Sequence, residues 1–380
     1  MCDILKHTTM KTGDKTMKKI HRTLSLFTVT AMCAALLCSC GAVPDSSQTD
    51  SSSKAATTTT ADTTADTTTA GEASSTASAP DSSVSDSSSA VTDDTKTNGI
   101  TPAMWKVTSP EGNTMVMLGS FHALKDECYP LPEAVTNAYN NADILAVECD
   151  ITSTSEDGEY MKNLMKQMLY NDNTKLSQHI SEEAYSALKT YLGYWGMDIS
   201  ALEVYRPWAV SSTLDTLLIQ DSGFDSEKGL DNYLLTTAHA DGKEIYEVES
   251  VDFQMNLLIN FSDDIYDLMF RSYEGETKES QKQALEDLYT AWKSGDIETF
   301  LEEDNEEELA GYTEEDKKIA EDYNNQMLYD RNKNMAKAAE DRMSQGKNVF
   351  YVVGAAHYAG EGGIIDLLEK DGYTAERVQY

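Results

Sequence analysis

The sequence predicts an α/β fold: two similar βαβ halves that form a central, mainly parallel sheet, with a large helical insertion between them. Three observations carry this. Apolar Met115-Val116-Met117-Leu118 runs into Gly119-Ser120-Phe121-His122, followed by a helix and a strand. Apolar Phe350-Tyr351-Val352-Val353 runs into Gly354-Ala355-Ala356-His357, again followed by a helix and a strand. Crossover units of this kind build parallel sheets with helices on their faces. Between them, residues 155 to 345 are mostly helical in period.

The chain opens with a segment outside that fold. Met17-Lys18-Lys19-Ile20-His21-Arg22 is a basic start, and Leu24 to Leu37 is an apolar run. That run is shorter than the roughly 20 residues a bilayer span needs, and has the length of a signal-peptide core. It ends in Leu37-Cys38-Ser39-Cys40-Gly41, which resembles a bacterial lipobox. Residues 1–40 are therefore expected to be a lipoprotein signal peptide. Lipid on Cys40 would hold the exported chain on the extracytoplasmic face of the membrane. Residues 41–98 alternate Ser, Thr, Ala and Asp with no aromatic residue. They bury too little to offset their ordering entropy and are expected to form a disordered tether. Residues 99–380 form the folded domain.

Within it, Met104–Val107 and Thr114–Leu118 flank Ser109-Pro110-Glu111-Gly112-Asn113, a hairpin signal. Leu131–Asn141 has helical spacing and Ile144–Val147 is a buried-type strand. Helices are expected over Glu182–Trp195, Pro207–Gln220, Leu230–Ala240, Phe253–Met269, Gln281–Ser294 and Glu314–Ser344, with a strand at Lys243–Val248. The chain closes with a strand at Val349–Val353, a helix at Gly363–Lys370 and a strand at Thr374–Val378.

Charge excludes one class of partner. The chain has 30 Lys+Arg against 65 Asp+Glu, a formal net charge of −35. Nucleic-acid binding needs clustered cations to displace counterions, so none is expected. The acid excess also argues against a peripheral grip on anionic lipid.

The chemistry concentrates at the strand ends. Beyond residue 40 the histidines are His122, His179, His239 and His357, and two of the four occupy the matched motif. Loops beyond the carboxyl ends of parallel strands are where such folds place ligands. Both motif histidines should sit on that edge, and converge there if the two units share one sheet. Glu148 follows the strand Ile144–Val147 and belongs to the same edge. Two imidazoles and a carboxylate are a common divalent-metal set that leaves positions open for water and substrate. Against this, a loop histidine is often only a loop residue, and a carboxylate at a strand end is often a helix cap. His179 and His239 are read as surface residues.

Taken together, Gly119-Ser120-Phe121-His122, Leu131-Pro132, Glu148, Gly229-Leu230-Asp231, Glu249, Gln254, Arg331-Asn332, and Val353-Gly354-Ala355-Ala356-His357 with Gly360-Glu361-Gly362-Gly363 resemble the TraB/PrgY/GumN family. That family is related to the Tiki proteases and more remotely to erythromycin-esterase and ChaN-type haem-binding groups. The resemblance covers roughly residues 102–380. It implies two similar βαβ halves and, as in Tiki-like members, metal-dependent proteolysis. It implies His122, His357 and Glu148 as holders of a divalent ion (manganese, cobalt or zinc). It implies Arg331 and Asn332 as site residues: Arg331 clamps a carboxylate or an oxyanion, or makes a salt bridge within the domain. Glu361 is a candidate general base by its position after His357. Ser120, Asp231 and Glu249 are candidates to orient the histidines. Ser120 stands where many members have Thr, and keeps the hydroxyl.

The expected function is thus a surface-anchored hydrolase acting on a peptide or other small substrate. The rival is a non-catalytic binder that sequesters a peptide signal, haem or iron at the cell surface. Cys128 and Cys149 are the cysteines of the folded domain, and either pair in a disulfide or lend the metal a ligand. Tyr191, Tyr194, Trp195, Tyr205 and Trp208 read as helix core or as a stacking wall. The acid run Glu302–Glu308 reads as a solvated surface.

Overall fold

The computed structural model describes residues 99–152, 157–301 and 312–380. The expected signal peptide with Cys40, the tether and the acid run Glu302–Glu308 lie outside the described residues. Among the described residues no helix is long and apolar enough to cross a membrane.

Six strands form one sheet: β1 (Met104–Thr108), β2 (Thr114–Ser120), β3 (Ile144–Val147), β4 (Glu244–Glu247), β5 (Val349–Gly354) and β6 (Thr374–Arg377). Their order is β4-β3-β5-β2-β1-β6. The β1–β2 hairpin is antiparallel and β6 joins β1 antiparallel. β2–β5, β5–β3 and β3–β4 are parallel. All strands except β1 therefore run in one direction. β3 and β5 are buried along their whole length. Their residues are continuously apolar, as expected of strands covered on both faces.

The two matched units meet as the repeat predicts. Helix α1 (Glu133–Asn141) links β2 to β3. Helix α11 (Ile364–Lys370) links β5 to β6. β2 and β5 are neighbours in register, with Gly119 opposite Val353 and Ser120 opposite Gly354. Both Gly-x-x-His turns thus leave the same edge side by side.

The insertion comprises α2 (Gly158–Gln167), α3 (Glu182–Tyr194), α4 (Pro207–Asp221), α5 (Leu230–Asp241), α6 (Val251–Asn260), α7 (Asp263–Arg271), α8 (Lys278–Ser294), α9 (Glu314–Asn324) and α10 (Asp330–Met343). Local chemistry sets their starts. Ser181, Ser250 and Ser262 accept from the backbone of the first turns of α3, α6 and α7, and Thr313 and Asp316 form a reciprocal cap on α9. Pro207 opens α4, where its missing N–H costs nothing. α7 packs against α3 and α9.

Two expected helices are each divided. Phe253–Met269 is broken at Phe261, which is extended, and Ser262 caps a new helix. Glu314–Ser344 is interrupted by a π turn at Asn325–Tyr329. That turn ends just before Arg331 and Asn332, and its Met327 carbonyl accepts from Arg331 Nη1 at 3.1 Å. The aromatic group divides too: Tyr191 and Trp208 are core, while Tyr194 is exposed.

Candidate functional site

Glu148 lies one residue past the end of β3 and is buried. Its carboxylate accepts three hydrogen bonds. Oε1 takes the Gly354 N–H at 2.7 Å; Oε2 takes Gln254 Nε2 at 2.8 Å and Arg331 Nη2 at 2.7 Å. Burial alone would raise its pKa. The Arg331 charge, then His357 and His122, outweigh burial and hold it well below the usual carboxylate range.

Arg331, on α10, is itself buried. Besides Glu148, it donates from Nε and Nη2 to Glu249, with contacts of 2.8 to 3.2 Å. Gln254 Nε2 also donates to Glu249 Oε2 at 2.8 Å. Arg331 therefore clamps two carboxylates of its own chain, and Glu249 is bound to the clamp rather than to a histidine. Desolvation works against the guanidinium's charge, but the two carboxylates push its pKa up further still.

His357 follows β5 in a short 3-10 turn and is buried. Its Nδ1 lies 2.6 Å from Asn332 Oδ1, and Asn332 Nδ2 donates to the Gly362 carbonyl at 2.9 Å. A carbonyl only accepts, so the amide orientation is fixed and His357 Nδ1 must be the donor. Its Nε2 then carries the lone pair, 3.8 Å from Glu148 Oε1. Burial first, then the Arg331 charge, lowers the His357 pKa to about 3, so the ring is neutral.

His122 follows β2 in the equivalent turn. Its Nδ1 is 3.2 Å from Asp231 Oδ2, while Ser120 Oγ donates to Asp231 Oδ1 at 2.8 Å. Asp231 stands in the first turn of α5. Gly229, at the N-cap of α5, is required there: a Cβ would sit 2.2 Å from the His122 carbonyl oxygen. Burial would lower the His122 pKa, but the Asp231 charge and hydrogen bond, with Glu148 behind them, raise it to about 9. The ring keeps an open edge, with the side chain 36% exposed.

The three groups face one point. A Cβ built on Gly354 would lie 3.0 Å from Glu148 Oε1, 3.4 Å from His122 Nε2 and 3.6 Å from His357 Cδ2. Glycine leaves that space open. The structure thus brings His122, Glu148, His357, Asp231, Ser120, Arg331, Asn332 and Glu249 into one network. It does not bring Glu361, whose side chain is 92% exposed and 3.6 Å from Lys370. Gln254, quoted in the family motif without a role, is the shared donor to Glu148 and Glu249.

Both cysteine expectations change. Cys128 and Cys149 are buried and not joined in a disulfide. Cys128 Sγ contacts Tyr289 Oη at 3.0 Å, and Cys149 Sγ donates to Gln254 Oε1 at 3.3 Å. Desolvation raises both thiol pKa values. Each thiol is held by its own neighbour, and the thiolate form a metal needs is disfavoured.

The sequence profile of the TraB/PrgY/gumN family matches residues 103–377. The chain belongs to this family. It is 24% identical over 159 residues to the uncharacterized protein YbaP of Escherichia coli (strain K12), covering 41% of this chain and 56% of that protein. The Shigella flexneri YbaP matches to the same extent. It is 25% identical over 293 residues to a protein of Nematostella vectensis described as a metalloprotease TIKI homolog, covering 66% of this chain and 61% of that protein. The chain thus spans less than two thirds of the length of these relatives. No solved structure matches.

Whether the site suits a metal is a question of donors. Among the described residues, no group of three or more His, Cys, Asp or Glu side chains is placed to hold a metal ion as it stands. The donors at Gly354 still fit a divalent ion in kind. Each imidazole is anchored through Nδ1 by an oxygen, the arrangement that orients metal-ligating histidines. Asp231, Glu148 and Glu249 face Arg331 and a His122 ring whose pKa is raised to about 9, so a dication in place of that ring's proton would bring the cluster to charge balance.

Proposed function

We propose that this TraB-family chain is a metal-dependent hydrolase acting on peptide-type bonds. The observation that carries the reading is the convergence of His122 Nε2 and Glu148 Oε1 on the space above Gly354, with His357 at its side. The name of the TIKI relative supports it. His122 and His357, through Nε2, and Glu148, through Oε1, are the residues that would hold the ion. When bound, a divalent ion supplies Lewis-acid polarisation of a carbonyl and lowers the pKa of water.

The chain's own residues prepare the site. Arg331 keeps Glu148 ionised in a buried setting. Asn332 fixes the tautomer of His357, and Asp231 with Ser120 fixes the ring of His122. Glu361, turned to solvent, is given no part in proton transfer. The exported, lipid-anchored placement expected from Cys40 belongs to the same proposal, since it would present the domain to extracytoplasmic peptides.

The test is metal content and peptide hydrolysis by the full chain, beside His122→Ala and His357→Ala. Manganese, cobalt and zinc are each supplied in turn. Near-stoichiometric metal, lost with turnover in both variants, is the expected result. Tight peptide or haem binding with no metal and no turnover favours the non-catalytic binder instead.

A further inference from the structure

A second concavity lies in the helical insertion and shares no residue with the network around Gly354. It encloses about 390 Å³, within the range of small-molecule sites. Its wall includes Lys166, Tyr170, Asp172, His179, Arg206 and Asp263. These come from the C-terminal turn of α2, the residue capping the start of α4, the first turn of α7 and the loops between.

The charges in this wall are unequally engaged. Asp172 Oδ1 accepts the Thr174 N–H at 2.9 Å and its hydroxyl at 2.6 Å. Asp263 Oδ2 is 2.8 Å from His179 Nδ1, and His179 Nε2 is 2.9 Å from Thr174 Oγ1. The His179 ring stacks on Tyr170, with centroids 4.3 Å apart. Both carboxylates are therefore occupied by the protein. The two cations are not. Lys166 Nζ reaches only the Asn163 amide, at 3.3 Å, and Arg206 Nη2 only the Ile259 carbonyl, at 3.2 Å. Among the described residues neither makes an ion pair. The wall holds as many carboxylates as cations, but Lys166 and Arg206 keep most of their N–H donors unused, and those donors are what the wall offers an anionic group.

The rim adds a second selectivity. The wall also holds Leu169, 40% exposed, beside the Tyr170 ring that stacks on His179. Leu169 bridges Tyr205, and the Tyr170 N–H donates to the Val204 carbonyl at 3.0 Å, a short ladder that fixes Leu169 and Tyr170 in the wall. Cations in a cavity beside an apolar shelf match a ligand with an anionic end and an apolar body.

We infer that this cavity binds a carboxylate carried on an apolar arm. Arg206 offers the planar fork that receives a carboxylate through two parallel bonds, and Lys166 adds a point charge. A peptide C-terminus with an aliphatic last residue and a fatty acid both carry this chemistry. The site does not depend on the metal reading, so the test is run without added metal.

The experiment is calorimetric titration of the full chain at low salt with N-acetyl-leucyl-leucine, its C-terminal amide and octanoate. The expected result is saturable binding of a free acid. It should weaken about tenfold or more for the amide, and likewise in Lys166→Gln and Arg206→Gln. Lys166 is exposed, so its variant separates lost binding from lost folding. A preference for the dipeptide assigns the source to peptide C-termini, and a preference for octanoate assigns it to fatty acids. Absence of saturable binding of either acid up to about 10 mM overturns the inference. So does an amide bound as tightly as its acid, or unchanged binding in both variants.

Discussion

Asn332 Oδ1 lies 2.6 Å from His357 Nδ1, and the same amide donates to the Gly362 carbonyl, so one buried side chain sets the tautomer of the histidine. Asn332→Leu leaves a buried N–H and a buried carbonyl unpaired. The expected cost is about 1–3 kcal/mol of stability. It would be read as a lower urea midpoint with an unchanged slope. Under the metal reading, affinity for the ion should fall roughly 10–100-fold in the same variant.

Arg331 holds Glu148 and Glu249 together in the interior. Removing the cation strands two buried carboxylates, so Arg331→Met should lose about 3–5 kcal/mol. Arg331→Lys should rescue little, because an ammonium lacks the fork that reaches both partners. Thermal unfolding of the two variants side by side checks this. A near-native melting temperature for the lysine variant would count against the fork.

Gly354→Ala tests the open space directly. The new Cβ would stand 3.0 Å from Glu148 Oε1, and that carboxylate is pinned by Gly354, Gln254 and Arg331. The carboxylate must shift. A shift of a few tenths of an ångström is called for, so the expected loss in rate is several-fold, short of the roughly 10²-fold that a 1 Å misplacement costs. Gly193→Ala, a helical site with nothing within 4 Å of the new Cβ, is the control. It should be neutral or stabilise by up to about 1 kcal/mol. Hydrolysis rates measured beside melting temperatures separate the two effects.

Acid stability depends on Asp316, which ties α9 to α7 through Arg271 and closes the cap with Thr313. Burial would raise its pKa, but the hydrogen bonds from Arg271 and Thr313 overcome this and lower it. A carboxylate with a depressed folded-state pKa stabilises above its unfolded value of about 3.9. That contribution is lost as pH falls through the folded value. Asp316→Asn should therefore be less stable than wild type at neutral pH, and the gap should close below about pH 4. Urea unfolding at several pH values would reveal a constant gap if the linkage is absent.

The strand ends were legible in the sequence because apolar runs stop there and chemistry begins. Ile144–Val147 is the observed β3, and both Gly-x-x-His turns follow their strands as expected. Their adjacency follows from repeated units sharing one sheet. The division at Ser262 was less visible: Ser262-Asp263-Asp264 is a helix-start signal, but the apolar period continues across it. The π turn before Arg331 has no marker in the periodicity at all. Helix α2 was not among the expected helices; it is short and capped by Asp157.

The site residues divide in the same way. Donor types and their edge could be read from His122, His357 and Glu148. Partner choice could not, because it depends on side chains brought from distant helices. Arg331 reaches Glu148 from 183 positions away. Glu361 shows the limit of sequence proximity: four residues after His357, it faces solvent. His179, read as a surface residue, is partly exposed and lines an open concavity, where Tyr170 and Asp263 come to it from two other segments.

The sheet order carries a temporal consequence. β5, one of the last strands to be synthesised, inserts between β2 and β3, and its Gly354 N–H completes the Glu148 anchorage across 206 positions. A nascent or truncated chain ending before Val349 has neither a centre to its sheet nor a third group for its site, and it leaves two strand edges unpaired. Under the hydrolase reading, the site therefore cannot work before β5 is in place. The late strand thus acts as a proof of near-completeness, withholding the assembled site until almost the whole chain is made.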